Sequence, residues 1–492
     1  MIVVKNYIYN VLYQLLSIMV PLLTMSYLSR TLGPSGLGTF SWTTSVANYF
    51  VLLATMGITL YGNREIAYSL NSNNQSKKFY EIQILHFIIG FITLLVYFIF
   101  IILFSTINPT FHTNFLGLLI QGLLVTSAIF DISWYFMGRE EFKKTVIRNT
   151  LVRVINVILI FAIVKAHTDT NKYIFLVAMT QLLGNLSMWL YLPKTLEKVE
   201  IKTLRIYKHF KATLTLFLPT IAIQVYMQLN KTMLPLFHNG DTSLAGYYDN
   251  ADKILKIILA VLTATGTVML PRMSNAVAHG NMDVVKKSVY NTMQFVTSLA
   301  FPMMFGLIAI SPGMISWFLG SNFSQVATIL QILTPILIFI SWSNVLGLQF
   351  LMPTNQVKSY TISVTLGALL NIILNFLFIP DYGVQGAAVA TVLSEALVTG
   401  YQLWAVKESL PIHYIFYGFW KYALSGVMML VSIIMTEYYL IDSSTIIGTF
   451  ILTMIGALIY IVCIYLLKSE VVLLLRKILK TKRRKANSRR KM

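Results

Sequence analysis

The chain has 492 residues, 56% of them hydrophobic and only 11% charged, and its mean hydropathy is +0.70. A soluble domain carries about 25% charged residues to hold its surface in water, so this composition excludes a water-soluble globule. The formal net charge of +20 does not point to nucleic acid, because it is spread over loops and gathered in a C-terminal tail, where anionic lipids are the expected partner.

The first residues, MIVVKNYIYNVLYQLL, lead into a long apolar run without a small-residue cleavage site and are expected to be a retained first helix. A hydrocarbon core about 30 Å thick takes about 20 apolar residues per helix. The polar breaks divide the chain into about fourteen such runs: residues 7–29, 39–61, 82–107, 115–137, 148–166, 173–193, 214–236, 249–271, 289–311, 326–351, 359–379, 385–406, 418–438 and 445–467. Hydrophilic segments such as 194–211 reach only roughly 20 residues, too few to fold as a nucleotide-binding domain. No GxxxxGK[ST], HExxH, GxSxG or paired Cys/His spacing occurs, and the single cysteine, Cys463, lies in an apolar run. No cofactor or metal is expected, and a carrier is favoured over an enzyme.

Cytoplasmic loops retain Lys and Arg. With the N-terminus inside, 31 of the 38 basic residues fall on one side; the other seven are Arg30, Arg153, Lys165, Lys172, Lys231, Lys253 and Lys256. An even number of spans with both termini cytoplasmic follows. The tail KTKRRKANSRRKM reads as a polybasic segment at the inner leaflet.

Self-similarity appears at an offset of 215 residues: GREEFKKTVIRNTLVRVINVILIFAIV, from Gly138, resembles PTNQVKSYTISVTLGALLNIILNFLFI, from Pro353, with Lys143 matching Lys358 and Asn156 matching Asn371. A second match pairs SYLSRTLGPSGLGTFSW with LNKTMLPLFHNGDTSLAGYYDN, aligning Arg30 with Lys231 and Gly38 with Gly246. The expected architecture is all-α and integral to the membrane, with two pseudo-symmetric six-helix lobes, 1–205 and 206–408. Two further helices (409–475) and a basic cytoplasmic tail (476–492) complete it.

An ionisable side chain in hydrocarbon is costly unless it meets a cavity or a partner. Arg30, Lys231, Lys253 and Lys256 are expected in the outer halves of their spans, as a cationic cavity suited to a phosphate or an acidic sugar. Asp249 and Asp252 lie one turn from Lys253 and Lys256, as neutralising partners or ion-coupling groups. Asp131 and Arg153 flank one short loop and are expected to form a structural pair between adjacent spans. Glu395, without a sequence-adjacent base, is expected to be held neutral or paired across helices, and is otherwise a candidate for ion coupling to an H+ or Na+ gradient. Pro21, Pro219, Pro271, Pro302 and Pro335 mark places where spans can bend.

SRTLGPSGLGTFSW, GNREIA, DISWYFMGREEFKK, and KTMLPLF followed by AGYYDNADKI resemble, in that order, the Wzx-type polysaccharide repeat-unit flippases. These belong to the multidrug/oligosaccharidyl-lipid/polysaccharide (MOP) exporter superfamily. The resemblance implies a bacterial inner-membrane protein with a MATE-like fold and a cavity lined by spans 1, 2, 7 and 8. It also implies an undecaprenyl-diphosphate-linked oligosaccharide as cargo, moved by alternating access for capsule, exopolysaccharide or O-antigen-type synthesis alongside other assembly proteins. On this chain Arg30, Lys231, Lys253 and Lys256 fall on those cavity helices. Related members often carry Asp before the span 7 lysine, where this chain has Asn230. A MATE-like multidrug exporter and a peptidoglycan-precursor flippase are the nearest alternatives. A glycan polymerase is disfavoured, since the outer loops are too short for an enzyme site.

Overall fold

Lipid offers the backbone no hydrogen-bond partners, so an apolar run that crosses it must satisfy its own amides, and a helix does so within one segment. The computed structural model describes residues 2–69, 72–192, 196–197, 199–474 and 476–477, with side chains from Leu22 onward except at a few helical positions that include Pro219. The readings placed on Lys194, Lys198 and the tail from residue 478 lie outside the described residues, as do the side chains of Lys5, Pro21 and Pro219. The described chain is helical throughout, without strands.

In chain order the helices begin with α1 (Ile2–Thr55), α2 (Ile58–Ala67), α3 (Ser72–Ile107), α4 (Pro109–Thr113), α5 (Phe115–Ile129), α6 (Ser133–Gly138), α7 (Phe142–Ile163) and α8 (Thr170–Trp189). There follow α9 (Phe210–Phe237), α10 (Ser243–Ala278), α11 (Met282–Phe318), α12 (Ser324–Leu333) and α13 (Ile336–Ser343), the last running into a π-helical stretch, Asn344–Leu351. The chain ends in α14 (Val357–Val406), α15 (Ile412–Ile415), α16 (Phe419–Tyr439) and α17 (Ile446–Leu466).

The fourteen apolar runs fall on these helices, two of which carry two runs each. Inside α1, Gly33 has φ 69°, ψ −178°, a left-handed backbone that costs glycine little and other residues more. This kink separates runs 7–29 and 39–61. Inside α14, Gly383 (φ 55°) separates runs 359–379 and 385–406 in the same way. Among the described residues nine helices are long and apolar enough to cross a membrane, or ten if the bent pair Ser321–Leu333 and Ile336–Leu351 is one span. That pair bends by 48°, with Pro335 at the break. Pro271, Pro302, Pro312 and Pro380 lie inside helices.

Packing divides the chain into two compact units, 1–249 and 250–492. In unit 1 one core gathers Trp42, Phe50, Tyr97, Phe111 and Leu118, and a second gathers Ile58, Phe79, Trp134, Tyr135 and Met188. The outer face of α3 leaves Phe91, Ile92, Leu95, Ile99, Ile102 and Leu103 exposed, an apolar surface that lipid covers. In unit 2 the main core joins Met273, Val289, Met293, Phe350, Val406 and Tyr422, and a smaller one joins Met429, Ile433, Leu452 and Tyr460.

The helix turns of unit 1 collect at two ends. At the hairpin end, the Gly33 kink lies against His167, the 238–242 turn lies against residues 34–39, and Gly240 lies against Thr110. A Cβ at Gly38 would collide with the Thr242 carbonyl, so only glycine allows the two turns to approach so closely. At the basic end, Lys78 meets Glu65 at 2.8 Å and Arg139 meets Gln75 at 3.0 Å, while the Arg205 amide donates to Glu81 at 2.7 Å. Arg64, Lys77, Lys78, Arg139, Lys143, Lys144, Lys202, Arg205, Lys208 and Lys211 all belong to the segments at this end.

Candidate functional site

Arg30 lies one turn before the Gly33 kink. It lines a cavity of about 490 Å³ with Leu23, Ser26, Tyr27, Thr31, Lys165, Ala166 and His167. The 164–169 turn is tied to α1 by the Tyr27 hydroxyl, which donates to the Val164 carbonyl at 2.6 Å. Asp169 holds the turn itself, accepting from the backbone amides of Lys165 (2.9 Å) and Ala166 (3.0 Å) and pairing with Lys172 at 2.6 Å. The Lys172 ammonium and those two amides hold the Asp169 carboxyl down to about 2. Lys165 and His167, which sequence reading left out of the site, thus join Arg30 through the turn.

Lys231 is not among the walls of that cavity. On α9 its ammonium donates to Asp249 of α10 at 2.8 Å, with side-chain exposures of 14% and 7%. Burial this deep makes the pair expensive to break from one side only. The neighbouring Asn230 amide donates to the Tyr248 hydroxyl at 2.5 Å. Thr232 then fixes α9 to the second half of α1: its carbonyl accepts from the Trp42 indole (3.3 Å), and its hydroxyl bonds Ser45 (2.9 Å) and donates to Tyr49 (3.2 Å). Lys231 and Asp249 stand nine residues on either side of Gly240, and Asn230 and Tyr248 bracket Asn239 equally. An antiparallel hairpin puts such residues at equal depth, a sequence signal available for this pairing but not used for it.

Asp131 and Arg153 line a second cavity of about 280 Å³ with Ser133, Thr145, Arg148, Asn149 and Gln181. Within it Arg148 comes to 4.0 Å from Asp131. Arg148 is buried and donates to Asn185 at 2.6 Å, and Asn185 donates to the Ser127 carbonyl and hydroxyl at 2.8 and 2.9 Å. The turn at 139–141, with Glu140 at φ 59°, centres the hairpin so that position 148 lies opposite 131. Sequence reading counted Arg148 as a loop residue and missed its place here. The buried His86 ring lies within electrostatic reach of Asp131, and neither of its nitrogens makes a hydrogen bond.

At the basic end charges are tied to one another. Glu141 pairs with Arg139 (2.9 Å) and with Lys144; burial works to raise its carboxyl, and the two cations outweigh burial and hold it below its ordinary value. The buried His209 meets Glu81 at 2.8 Å through one ring nitrogen and the Tyr61 hydroxyl at 2.7 Å through the other.

In unit 2, Lys256 meets Asp252 at 2.6 Å, one helical turn apart, with the lysine half exposed. Lys253 is part-buried on the same helix. Glu395 is part-buried on the second half of α14, within electrostatic reach of Tyr360. Asn371 and Asn375 are fully buried on the first half, joined by a 3.0 Å hydrogen bond. Arg272, Ser288, Asn291, Thr292 and Phe295 line a cavity of about 540 Å³ between α10 and α11. Among the described residues no three His, Cys, Asp or Glu side chains converge as a metal site.

Among solved structures the fold is similar to that of the lipid II flippase MurJ in its inward closed conformation, with a TM-score of 0.71 at 20% identity, covering 93% of this chain and 98% of that one. An inward-facing multidrug resistance MATE family transporter of the MOP superfamily gives 0.57 at 13% identity, covering 80% and 98%. Among curated proteins, the "Putative O-antigen transporter" of Escherichia coli (strain K12) is 25% identical over 82% of this chain and 97% of its own length. The protein of the same description from Shigella dysenteriae is 24% identical over 79% and 96%. This multi-spanning membrane protein, with the transporter fold of the MOP superfamily, matches over residues 3–277, more than half its length, the family described as "Polysaccharide biosynthesis protein" and belongs to it.

Proposed function

We propose that this protein is a flippase that moves a lipid-linked oligosaccharide, carried on undecaprenyl diphosphate, from the inner to the outer leaflet of a bacterial inner membrane. The observation that carries this reading is the near end-to-end similarity to relatives described as O-antigen transporters. In this reading the chain crosses fourteen times, and its two six-helix lobes (1–205 and 206–408) alternate access to a cleft. The basic end of unit 1 faces the cytoplasm with both termini, and anionic lipids and other polysaccharide-assembly membrane proteins are its partners. The chain performs no bond chemistry.

Arg30 and Lys253 supply positive charge to the diphosphate. Lys231 and Lys256 act as partly compensated cations through Asp249 and Asp252. A ligand drives the cycle only as far as it binds the two states differently. Glu395, Asp249 and Asp252 are the candidates for coupling to an H+ or Na+ gradient.

The test is transport of a fluorescent undecaprenyl-diphosphate oligosaccharide by the purified chain in liposomes. Time-dependent exposure of the label to an external quencher is expected, slowed at least tenfold in Arg30→Gln/Lys253→Gln. No transport by the wild type, or glycan-bond formation by the pure protein, overturns the reading.

A further inference from the structure

We infer that the 540 Å³ groove between α10 and α11 in unit 2 binds an anionic phospholipid, with the phosphodiester at Arg272 and one acyl chain lying along the two helices. Val261, Thr265 and Arg272 of α10 recur at spacings of four and seven residues, and Ser288, Asn291 and Phe295 of α11 at three and four, so each set shares one helix face. Arg272 and Ser288 each stand eight residues from Gly280, and the antiparallel hairpin puts them at equal depth near its turn. Val261, Ala264 and Phe295 lie further from that turn. The groove is therefore polar and cationic at one end and mainly apolar at the other.

Among the described residues the Arg272 guanidinium has no ion pair, the Asn291 amide has no hydrogen bond, and no carboxylate lines the groove. The guanidinium fork suits two phosphate oxygens, and the neutral Ser288 and Asn291 donors beside it add no charge. One cation among neutral donors matches the single negative charge of a phosphodiester; a diphosphate would leave part of its charge unmet. At the other end Val261 and Phe295 are 55% and 46% exposed, so the apolar walls are open to a chain. From Arg272 to Val261 the α10 wall rises over eleven residues, about 16 Å, against roughly 15 Å for the hydrocarbon of one leaflet. At 3.6 residues per turn Arg272 lies about 100° round α10 from Lys253 and about 160° from Lys256. The groove thus opens on a different face of α10 from the lysines assigned to the cargo.

The leaflet rests on the transport reading, whose orientation puts the Gly280 turn, with Lys286 and Lys287 beside it, on the cytoplasmic side; the bound lipid is then one of the inner leaflet. The full chain in phospholipid-free detergent is titrated calorimetrically with dioctanoyl phosphatidylglycerol, dioctanoyl phosphatidylcholine, inorganic phosphate and farnesyl diphosphate. Wild type is compared with Arg272→Gln, Arg272→Lys and Ala264→Trp, which fills the apolar end. Lys358→Gln, an exposed lysine on α14, controls for the general attraction of a basic chain to anionic lipid.

The Kd for phosphatidylglycerol is expected to be about tenfold weaker in Arg272→Gln and in Ala264→Trp, with Lys358→Gln unchanged and phosphatidylcholine at least fivefold weaker than phosphatidylglycerol on the wild type. Arg272→Lys should bind within threefold of wild type, which separates charge from folding. Unchanged phosphatidylglycerol binding in Arg272→Gln or Ala264→Trp overturns the inference, as does an Arg272→Lys loss as large as that of Arg272→Gln. Inorganic phosphate bound as tightly as phosphatidylglycerol overturns it in favour of a free-anion site. An Arg272→Gln loss confined to farnesyl diphosphate overturns it in favour of the cargo. None of these measurements uses transport, so failure here leaves the flippase reading standing, and a wild type that transports nothing leaves the lipid site standing.

Discussion

At the basic end of unit 1, Glu65, Glu81 and Glu141 each hold a positively charged or imidazole partner at hydrogen-bonding distance, whereas at the hairpin end Arg30, Lys165 and His167 line a cavity without a carboxylate among its described walls. The same α-helices supply both ends, so helix packing does not explain the difference. What differs is where the acids sit. At the basic end they lie on the helices and loops next to the lysines and arginines; at the hairpin end Asp169 is turned into its own backbone and Asp249 is turned toward Lys231. Paired charges brace a scaffold.

The strongest way to test this division is at Lys231, which lies near the hairpin end but is paired like a residue of the basic end. Lys231→Met removes the ammonium that meets the buried Asp249 carboxylate and is expected to cost about 3–5 kcal/mol of stability, whereas Lys231→Met with Asp249→Met is expected to be neutral or stabilising. Denaturant unfolding in micelles reads both. If the double variant is as unstable as the single one, the pair is not what holds α9 to α10.

Next in size, Glu81→Leu at the basic end strands the His209 imidazole and the Arg205 amide, at an expected cost of about 1–3 kcal/mol. Unchanged unfolding would show that this end is not braced by its acids. The smallest effect is expected at Asp169. Its folded carboxyl sits near 2 against an ordinary 3.8, so its contribution is fully present above that ordinary value and is lost as pH falls through about 2. The melting difference between wild type and Asp169→Asn should be constant from pH 5 to 8 and close below pH 3. A difference that grows in acid would contradict the pairing with Lys172 and the two amides.

Hydropathy made the helices legible, because the need to satisfy the backbone in lipid leaves a 20-residue apolar run almost no other structure. The break between runs 7–29 and 39–61 was legible, and the Gly33 kink falls within it. What hydropathy reports, however, is depth along the membrane normal and not direction around a helix. Asp131 was matched by depth to Arg153, which lines the same cavity; what depth did not show is that Arg148 also comes to 4.0 Å from Asp131. Lys231 was aligned with Arg30 by repeat, and its pairing with Asp249, an equal distance beyond Gly240, was not read. The Lys165 and His167 cluster was hidden for a different reason: it depends on the fold of a six-residue turn against a kink more than a hundred residues earlier.

The Lys231–Asp249 pair has an electrical consequence. A lysine and an aspartate that move together carry no net charge, so a rearrangement of this hairpin does no work against the membrane potential. A diphosphate does: each elementary charge carried through the full field exchanges about 2.3 kcal/mol per 100 mV. With the cell interior negative, an anionic headgroup leaving for the outer face moves downhill in that field. In the transport reading a compensated lysine therefore leaves the voltage to act on the cargo.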